Sequence, residues 1–208
     1  MTTELEHHSN YVPWHFLRKK KGAILKFAPM NDNGEVEVDE IKKLITTRTK
    51  IIAITHISNV TGAIMPLKKI IELAKEKNIP VLIEKPIAAC IKDAELIAES
   101  AIKFNTPVAI GYCLRYKPFF EKVKYYLDSE LFGGINDINI VCGSYLPLWR
   151  PNIDYRDSVS ASKSLGGGVL LELSHEIDYA NFLIKDLSLQ SATIKNSGKL
   201  DVDVEDFV

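Results

Sequence analysis

Short apolar runs alternate with amphipathic stretches along the first half of the chain. The amphipathic stretches repeat apolar residues every three or four positions, as at Leu67, Ile70, Ile71 and Ala74, which predicts helices with one buried face. The apolar runs are short and rich in Ile and Val, which is typical of strands buried on both faces. Predicted strands cover residues 23–27, 50–55, 79–83 and 107–111, and predicted helices cover residues 38–45, 66–77, 93–104 and 119–127.

The order of these elements predicts the fold class. Strands that alternate with helices form a parallel sheet, because a crossover helix is the usual connection between parallel strands. We therefore predict an α/β fold that begins with a short parallel sheet and its flanking helices. After residue 112 the pattern changes: residues 135–141 alternate apolar and polar, residues 188–195 and 201–208 are also predicted strands, and a helix is predicted over residues 169–184. This second part is predicted to be an α+β region with a mostly antiparallel sheet.

The charge balance excludes some classes of function. Lys plus Arg number 26 and Asp plus Glu number 27 in 208 residues, so the formal net charge is −1. This balance gives no electrostatic support for binding nucleic acid or an anionic membrane. The start of the chain has no apolar signal-peptide core, and residues 51–67 are too polar for a membrane span. We expect a cytoplasmic protein that, if active, takes a small-molecule substrate. The basic cluster at residues 18–21 is predicted to form the solvated end of a helix.

Metal and disulfide chemistry receive no support from the sequence. Cys90, Cys113 and Cys142 are odd in number and have no CxxC spacing, so neither a disulfide framework nor a zinc site is predicted. Glu172 and His175 have the Glu-x-x-His spacing of di-iron bundles, but the sequence holds no second pair of this kind. No metal site is therefore predicted.

Three motifs in the first part of the chain point to one enzyme family. They are EHHSN at residues 6–10, VPW at residues 12–14 and THISNVTG at residues 55–62. Together they resemble the cysteine desulfurases, which have the fold of class V aminotransferases and use pyridoxal phosphate. The resemblance implies that His7 stacks on the coenzyme ring and that Asn59 contacts the ring hydroxyl. The alternative is that the histidine pair is simply solvated.

Part of that family's coenzyme site is missing from the sequence. Pyridoxal chemistry needs a Schiff-base lysine and an acid against the pyridine nitrogen. The family carries Asp-Gly-Ala-Gln after the strand that corresponds to residues 79–83, whereas this chain has Glu84-Lys85-Pro86. Glu84 could at most imitate the acid, and no cysteine occupies the position of the family's persulfide-forming residue. The resemblance therefore implies an incomplete pyridoxal phosphate site.

A second set of motifs occupies the rest of the chain. It consists of EKP at residues 84–86, GYCLRYKP at 111–118, GSYLPLWRP at 143–151 and GGGVLLELSHEID at 166–178. This set resembles the Gfo/Idh/MocA family, whose members oxidise sugar or cyclitol hydroxyls with NAD(P). That family binds its dinucleotide with a Rossmann unit that has a glycine-rich turn, and no GxGxxG precedes the EKP motif.

The second resemblance assigns roles to five residues. Lys85 falls near the nicotinamide and the substrate hydroxyl, and His175 becomes the acid/base, which suits the removal of a hydroxyl proton during hydride transfer. Glu172 and Asp178 lie three positions either side of His175, so one of them could orient the imidazole. Arg115 either reaches substrate or cofactor or belongs to a surface ion pair. The alternative for His175 is a half-buried structural side chain.

We therefore expect a hybrid chain in which neither coenzyme site is complete. Residues 1–83 form the cysteine desulfurase-like fragment, and residues 84–208 form the Gfo/Idh/MocA-like region. Within the second region, residues 84–112 complete the parallel sheet and residues 113–208 form an antiparallel substrate and dimerisation domain. The main functional prediction is an NAD(P)-dependent oxidoreductase-like fragment. Two alternatives stay open: a pyridoxal phosphate-dependent cysteine desulfurase-like fragment, and a non-catalytic α/β hybrid that at most associates into a homo-oligomer.

Overall fold

The chain folds into two compact units. The computed structural model describes residues 1–59, 61–184 and 186–208. The first unit comprises Met1–Gly111 together with Ser164–Gly166, and the second comprises Tyr112–Lys163 and Gly167–Val208. Within the described ranges, no helix combines the length and apolar character that a membrane crossing requires.

Parallel strands form the centre of the first unit. β1 pairs with β2, and β3 pairs with β4, which pairs with β5. The two groups are joined because the Met1 amino group donates to Ile51 O at 3.0 Å and Ala53 N–H donates to Met1 O at 2.9 Å. The sheet order is therefore β2-β1-β3-β4-β5. The strands are β1 (Thr2–Thr3), β2 (Phe27–Ala28), β3 (Ile52–Ile54), β4 (Val81–Ile83) and β5 (Val108–Ile110).

Four helices connect and flank these strands, which confirms the predicted α/β class. Three were predicted with nearly these bounds, whereas the first was predicted only at its basic end. α1 ends at Gly22, whose left-handed backbone lets its N–H bond to Arg18 O at 3.0 Å. The helices are α1 (His8–Lys21), α2 (Val38–Leu44), α3 (Leu67–Glu76) and α4 (Ile91–Phe104).

The core of the first unit lies between the sheet and its helices. α3 buries Leu67, Ile70, Ile71 and Ala74 on the face that the sequence spacing predicts. Ile52, Ile54 and Ile83 of the sheet are completely buried against the same cluster. Apolar burial of this kind is the main favourable contribution to folding.

The strands of the first unit differ from the prediction in two places. The predicted strand at residues 23–27 pairs only at Phe27–Ala28, and β1 was not predicted. β1 is two threonines long, so it carries no apolar pattern. It becomes a strand because its backbone pairs with β2 on one side, while Met1, directly before it, bonds to Ile51 and Ala53 on the other.

Helices and short 3-10 turns make up the second unit. α5 (Pro118–Asp128) packs against α7 (Ser174–Leu183), where the rings of Phe120 and Tyr179 lie 4.8 Å apart. The helix predicted over residues 169–184 is divided into α6 (Val169–Glu172) and α7 at Leu173, whose backbone leaves the helical region. The 3-10 turns are Cys113–Tyr116, Leu146–Leu148, Tyr155–Asp157 and Val159–Ala161, with a further one at Lys163–Leu165.

The antiparallel sheet predicted for this part is not confirmed. Among the described residues of the second unit, the one β contact is an antiparallel bridge between Lys195 and Phe207. Residues 135–141 have no strand partner, and Val141 is 88% exposed. An alternating sequence forms a strand only when another strand satisfies its backbone and a packed layer covers its apolar face.

The buried face of α3 gives a direct test of the first unit's core. Ile71→Ala removes completely buried methyl and methylene groups and leaves a void, so the free energy of unfolding should fall by about 2–5 kcal/mol. Urea denaturation followed by circular dichroism measures this loss.

Ile102→Ala is the matched control, since Ile102 lies on α4 with 81% of its surface exposed. This variant should change the free energy of unfolding by less than about 0.5 kcal/mol. Equal losses in the two variants would show that α3 does not supply the core.

Candidate functional site

The candidate site lies where the strands of the first unit end. β1 continues into Glu6 and α1, β3 into residues 55–59, and β4 into Glu84 and Lys85. In a parallel sheet these carboxyl ends share one edge, and ligands bind where neighbouring strands connect in opposite directions. The order β2-β1-β3-β4-β5 puts that reversal between β1 and β3.

Glu6 fills the edge of the sheet at this reversal. Its carboxyl group accepts hydrogen bonds from Thr3 Oγ1 and from Asn10 Nδ2, each at 2.6 Å, and from the backbone at Thr55. The Asn10 side chain is fixed in turn by Trp14 Nε1, which donates to Asn10 Oδ1 at 3.0 Å. Burial raises the pKa of Glu6 to about 7, and the nearby Glu84 carboxylate adds to that rise.

Glu84 supplies a second carboxyl group at the same edge, and unlike half-buried Glu6 it is a buried residue. Its residue is 8% exposed, and this burial raises its pKa, although hydrogen bonds from the Ser9 side chain and the Lys85 backbone oppose the rise. The backbone directly after β5 passes close to this carboxyl group: a Cβ added to Gly111 would lie 3.2 Å from Glu84 Oε2. The glycine therefore leaves room for the carboxyl group.

His7 caps the start of α1, and Ser9 lies between it and Glu84. The Nδ1 atom of His7 accepts the backbone N–H of Ser9 at 3.2 Å and lies 2.8 Å from Ser9 Oγ. The Ser9 hydroxyl also lies near the Glu84 carboxyl group, so its one proton can go either to Nδ1 of His7 or to Glu84. The exposed His7 imidazole is held at the sheet edge by this cap.

The segment after β3 adds further polar groups. Ser58 is completely buried, and its hydroxyl donates to Leu5 O at 3.2 Å, which ties this segment to the one after β1. The Oδ1 atom of half-buried Asn59 is itself buried and has no hydrogen-bond partner among the described residues. Burial lowers the pKa of His56, against the opposing effects of Asp93 and the backbone of Ile87.

The structure thus places three sequence-predicted residues in the first unit. His7, Asn59 and Lys85 follow β1, β3 and β4, respectively. Lys85 is half-buried and forms a cis peptide bond with Pro86.

The other four predicted residues belong to the second unit. The half-buried ring of His175 meets the ring of Tyr112 edge-on, with centroids 5.6 Å apart. Arg115 Nε donates to Asp178 Oδ2 at 2.8 Å, and its Nη2 bonds to Oδ1 of the same buried carboxylate. This pairing raises the pKa of Arg115. Glu172 Oε1 accepts from Ser160 Oγ at 2.6 Å, so both acids beside His175 have partners other than the imidazole.

Sequence reasoning missed Glu6 and Asn10 as members of the site. The signal that points to them is the spacing of Glu6, Asn10 and Trp14, which are four residues apart and so share one face at the start of a helix. Across the described part of the chain, no group of three or more His, Cys, Asp or Glu residues is arranged to hold a metal ion.

Comparisons of sequence relate the start of the chain to one family. Residues 1–89 match the family model of class-V aminotransferases. A probable cysteine desulfurase of Halalkalibacterium halodurans is 36% identical over 155 residues, which cover 71% of this chain and 37% of that protein. The cysteine desulfurase of Synechococcus elongatus is 48% identical over 82 residues, or 39% of this chain and 13% of that protein. The chain therefore spans well under half the length of these relatives.

Comparisons of structure give a different relationship. An oxidoreductase from Agrobacterium radiobacter, solved with NAD+, L-tartaric acid and magnesium, has a TM-score of 0.61 and 16% identity, covering 98% of this chain and 59% of that one. An NAD-binding protein from Listeria innocua has a TM-score of 0.57 and 16% identity, covering 99% of this chain and 60% of that one. At these identities the likeness is one of fold alone. The hybrid resemblance is thus confirmed: the sequence of the first 89 residues resembles class-V aminotransferases, and the fold resembles that of NAD-binding oxidoreductases.

Proposed function

We propose that the first unit binds pyridoxal phosphate in the manner of the cysteine desulfurases, through His7, Asn59 and Glu84. The observation that carries this proposal is the position of Ser9 between the His7 imidazole and the Glu84 carboxyl group, in the segment that matches class-V aminotransferases. The oxidoreductase prediction is supported by a fold likeness at 16% identity, so it is the second candidate.

The polar groups at the sheet edge fit the three features of a pyridoxal ring. A planar imidazole at His7 suits the ring face, and the carboxyl group of Glu84 suits the ring nitrogen. The Asn59 amide has a buried oxygen without a hydrogen-bond partner, so this side chain is available to the ring hydroxyl. Buried polar groups usually have partners, and a ligand that supplies one removes the cost of leaving this atom unsatisfied.

The described residues would hold and orient the ring in this proposal. Pyridoxal phosphate, when bound, withdraws electrons from the reacting carbon of an amino acid. The Ser9 hydroxyl lies between His7 and Glu84. Because its pKa is raised, Glu84 retains its proton to a higher pH than an exposed glutamate and can offer it to the ring nitrogen.

The proposal covers coenzyme binding and not the complete desulfurase reaction. The chain spans 37% of one desulfurase relative and 13% of another. Cys90, Cys113 and Cys142 are exposed free thiols, and the family resemblance puts none of them at the position of the persulfide-forming residue.

A second candidate function is NAD(P)-dependent oxidation of a sugar or cyclitol hydroxyl. The observation in its favour is the arrangement on α7, where His175 faces Tyr112 and Asp178 holds Arg115. The Agrobacterium oxidoreductase of similar fold was solved with NAD+, which makes a dinucleotide the natural ligand to test.

Coenzyme binding should depend on the first histidine of the pair. Addition of pyridoxal phosphate to the purified chain should give saturable binding in equilibrium dialysis and a change in the absorption of the coenzyme near the visible edge. His7→Ala should weaken binding by about tenfold or more, since stacking of an aromatic side chain on a ring contributes roughly 1–3 kcal/mol.

His8→Ala is the matched control because His8 is also exposed and directly follows His7. It should leave the dissociation constant within about twofold of the parent value, on the expectation that surface changes have small effects. Equal weakening by the two substitutions, or no saturable binding by the parent chain, would refute the proposal.

Glu6 should make the stability of the first unit depend on pH. Its pKa is about 7 in the folded chain, against 4.5 for an unperturbed glutamate, so the folded state binds the extra proton between these values. The resulting stabilisation is complete below about pH 4.5 and is lost as the pH rises through about 7. Glu6→Gln, which mimics the protonated form, should therefore gain up to about 3 kcal/mol relative to the parent between pH 5 and pH 8 in urea denaturation.

Glu95→Gln provides the comparison, since Glu95 is an exposed residue of α4. Its difference from the parent should stay within about 0.5 kcal/mol at both pH values. If Glu6→Gln shows the same small difference, Glu6 does not carry the buried proton.

The oxidoreductase candidate predicts binding of a nicotinamide nucleotide. Titration with NADH, followed through the fluorescence of the nicotinamide, should saturate at or below millimolar concentration. The absence of a saturable change up to that concentration would remove this candidate without affecting the pyridoxal phosphate proposal.

A further inference from the structure

A cavity of about 560 Å³ lies within the second unit. Its walls come from residues 140–144, from the α6 region and from residues 200–208. The volume falls within the range of about 300–1,000 Å³ that is usual for small-molecule sites. Of the residues assigned to the two candidate functions, Glu172 alone belongs to the described wall.

Most of the cavity wall is apolar. Ile177 of α7 and Leu173, directly before that helix, contribute to the wall. Leu200 and Val202 contribute from the last residues of the chain. Trp149 also lines the cavity, and its Nε1 donates to Ser144 Oγ at 2.5 Å, which fixes the indole. A wall of this kind favours a ligand with an apolar body.

The charged groups in the wall are all acidic. Glu172, Glu176, Glu205 and Asp206 line the cavity, and the described lining residues include no Lys, Arg or His. Several of these carboxylates have uncharged donors: Ser160 Oγ donates to Glu172 at 2.6 Å, and the backbone N–H of Leu170 donates to Glu205 at 3.0 Å. Two hydrogen bonds from Ser197 lower the pKa of Asp206, and nearby Lys199, which lies outside the described wall, lowers it further. The charged side chains in the described wall itself carry negative charge only.

Glu176 supplies the polar group that the fold does not satisfy. Its Oε2 atom is buried and accepts no hydrogen bond among the described residues. The same carboxylate interacts with the Cys142 thiol. The pKa of this thiol is raised mainly by desolvation and, to a smaller extent, by the nearby Glu176 carboxylate. A buried carboxylate oxygen without a donor costs free energy, and a cationic ligand offsets that cost.

We propose that this cavity binds an organic cation, such as an amine or a quaternary ammonium compound, that carries an apolar body. The apolar wall and Trp149 accept the body, and the unsatisfied Glu176 carboxylate accepts the positive group. An indole also attracts a nearby cation through its π face, with about 0.5–2 kcal/mol in typical cases. The proposal is independent of pyridoxal phosphate or NAD(P) binding.

Benzyltrimethylammonium is a suitable probe because it joins a quaternary ammonium group to a phenyl ring. Isothermal titration calorimetry on the full chain should show saturable binding of this cation. Phenylacetate, an anion of similar size, should bind at least about tenfold more weakly, since the wall is acidic. Tetramethylammonium should also bind at least about tenfold more weakly, because it lacks the apolar body.

A pair of substitutions locates the binding site. Glu176→Gln keeps the shape of the side chain and removes its charge, so the affinity for benzyltrimethylammonium should fall by about tenfold. Glu121→Gln, on the exposed surface of α5 in the same unit, should leave the affinity within about twofold.

Three results would each overturn the proposal. They are the absence of saturable binding to the parent chain, equal binding of phenylacetate, and equal weakening by the two glutamate substitutions. The first two use the parent chain alone and so do not depend on the folding of a variant.

Discussion

The backbone pairing of β1 with both of its neighbours is the constraint on which the first unit depends. Met1 bonds to Ile51 and Ala53 on one side, and Thr2 and Thr3 pair with Phe27 and Ala28 on the other. This arrangement joins two short groups of strands into one parallel sheet and creates the reversal of chain direction at which the polar groups collect. Without β1, Glu6 and the start of α1 would have no fixed position at the sheet edge.

Buried carboxyl groups at that edge require the donors that surround them. Glu6 receives hydrogen bonds from Thr3, Asn10 and Thr55, and Glu84 receives them from Ser9 and the backbone of Lys85. These donors oppose the rise in pKa that burial causes but do not cancel it. The edge therefore carries less negative charge than two exposed glutamates would give it, which is compatible with a planar aromatic ligand.

The parts of the fold that follow from the sequence are those with a local pattern. α3 was predicted from the spacing of Leu67, Ile70 and Ile71, because one-sided burial has a signature within the helix itself. β1 and the pKa of Glu6 could not be predicted, since both arise from groups distant in sequence or from solvent exclusion. Alternation at residues 135–141 was insufficient for a strand, because no partner backbone pairs with it. Motif matching located His7 and Asn59 at the sheet edge, but it did not reveal the serine that lies between His7 and Glu84.

The cap of α1 has a consequence for acidic conditions. Nδ1 of His7 accepts the backbone N–H of Ser9, and this contact exists only while Nδ1 carries no proton. A proton there would remove the cap and place a positive charge at the helix end that already bears the positive pole of the dipole. Loss of this cap would weaken the first turn of α1, so that acid would loosen the start of the helix beside the sheet edge.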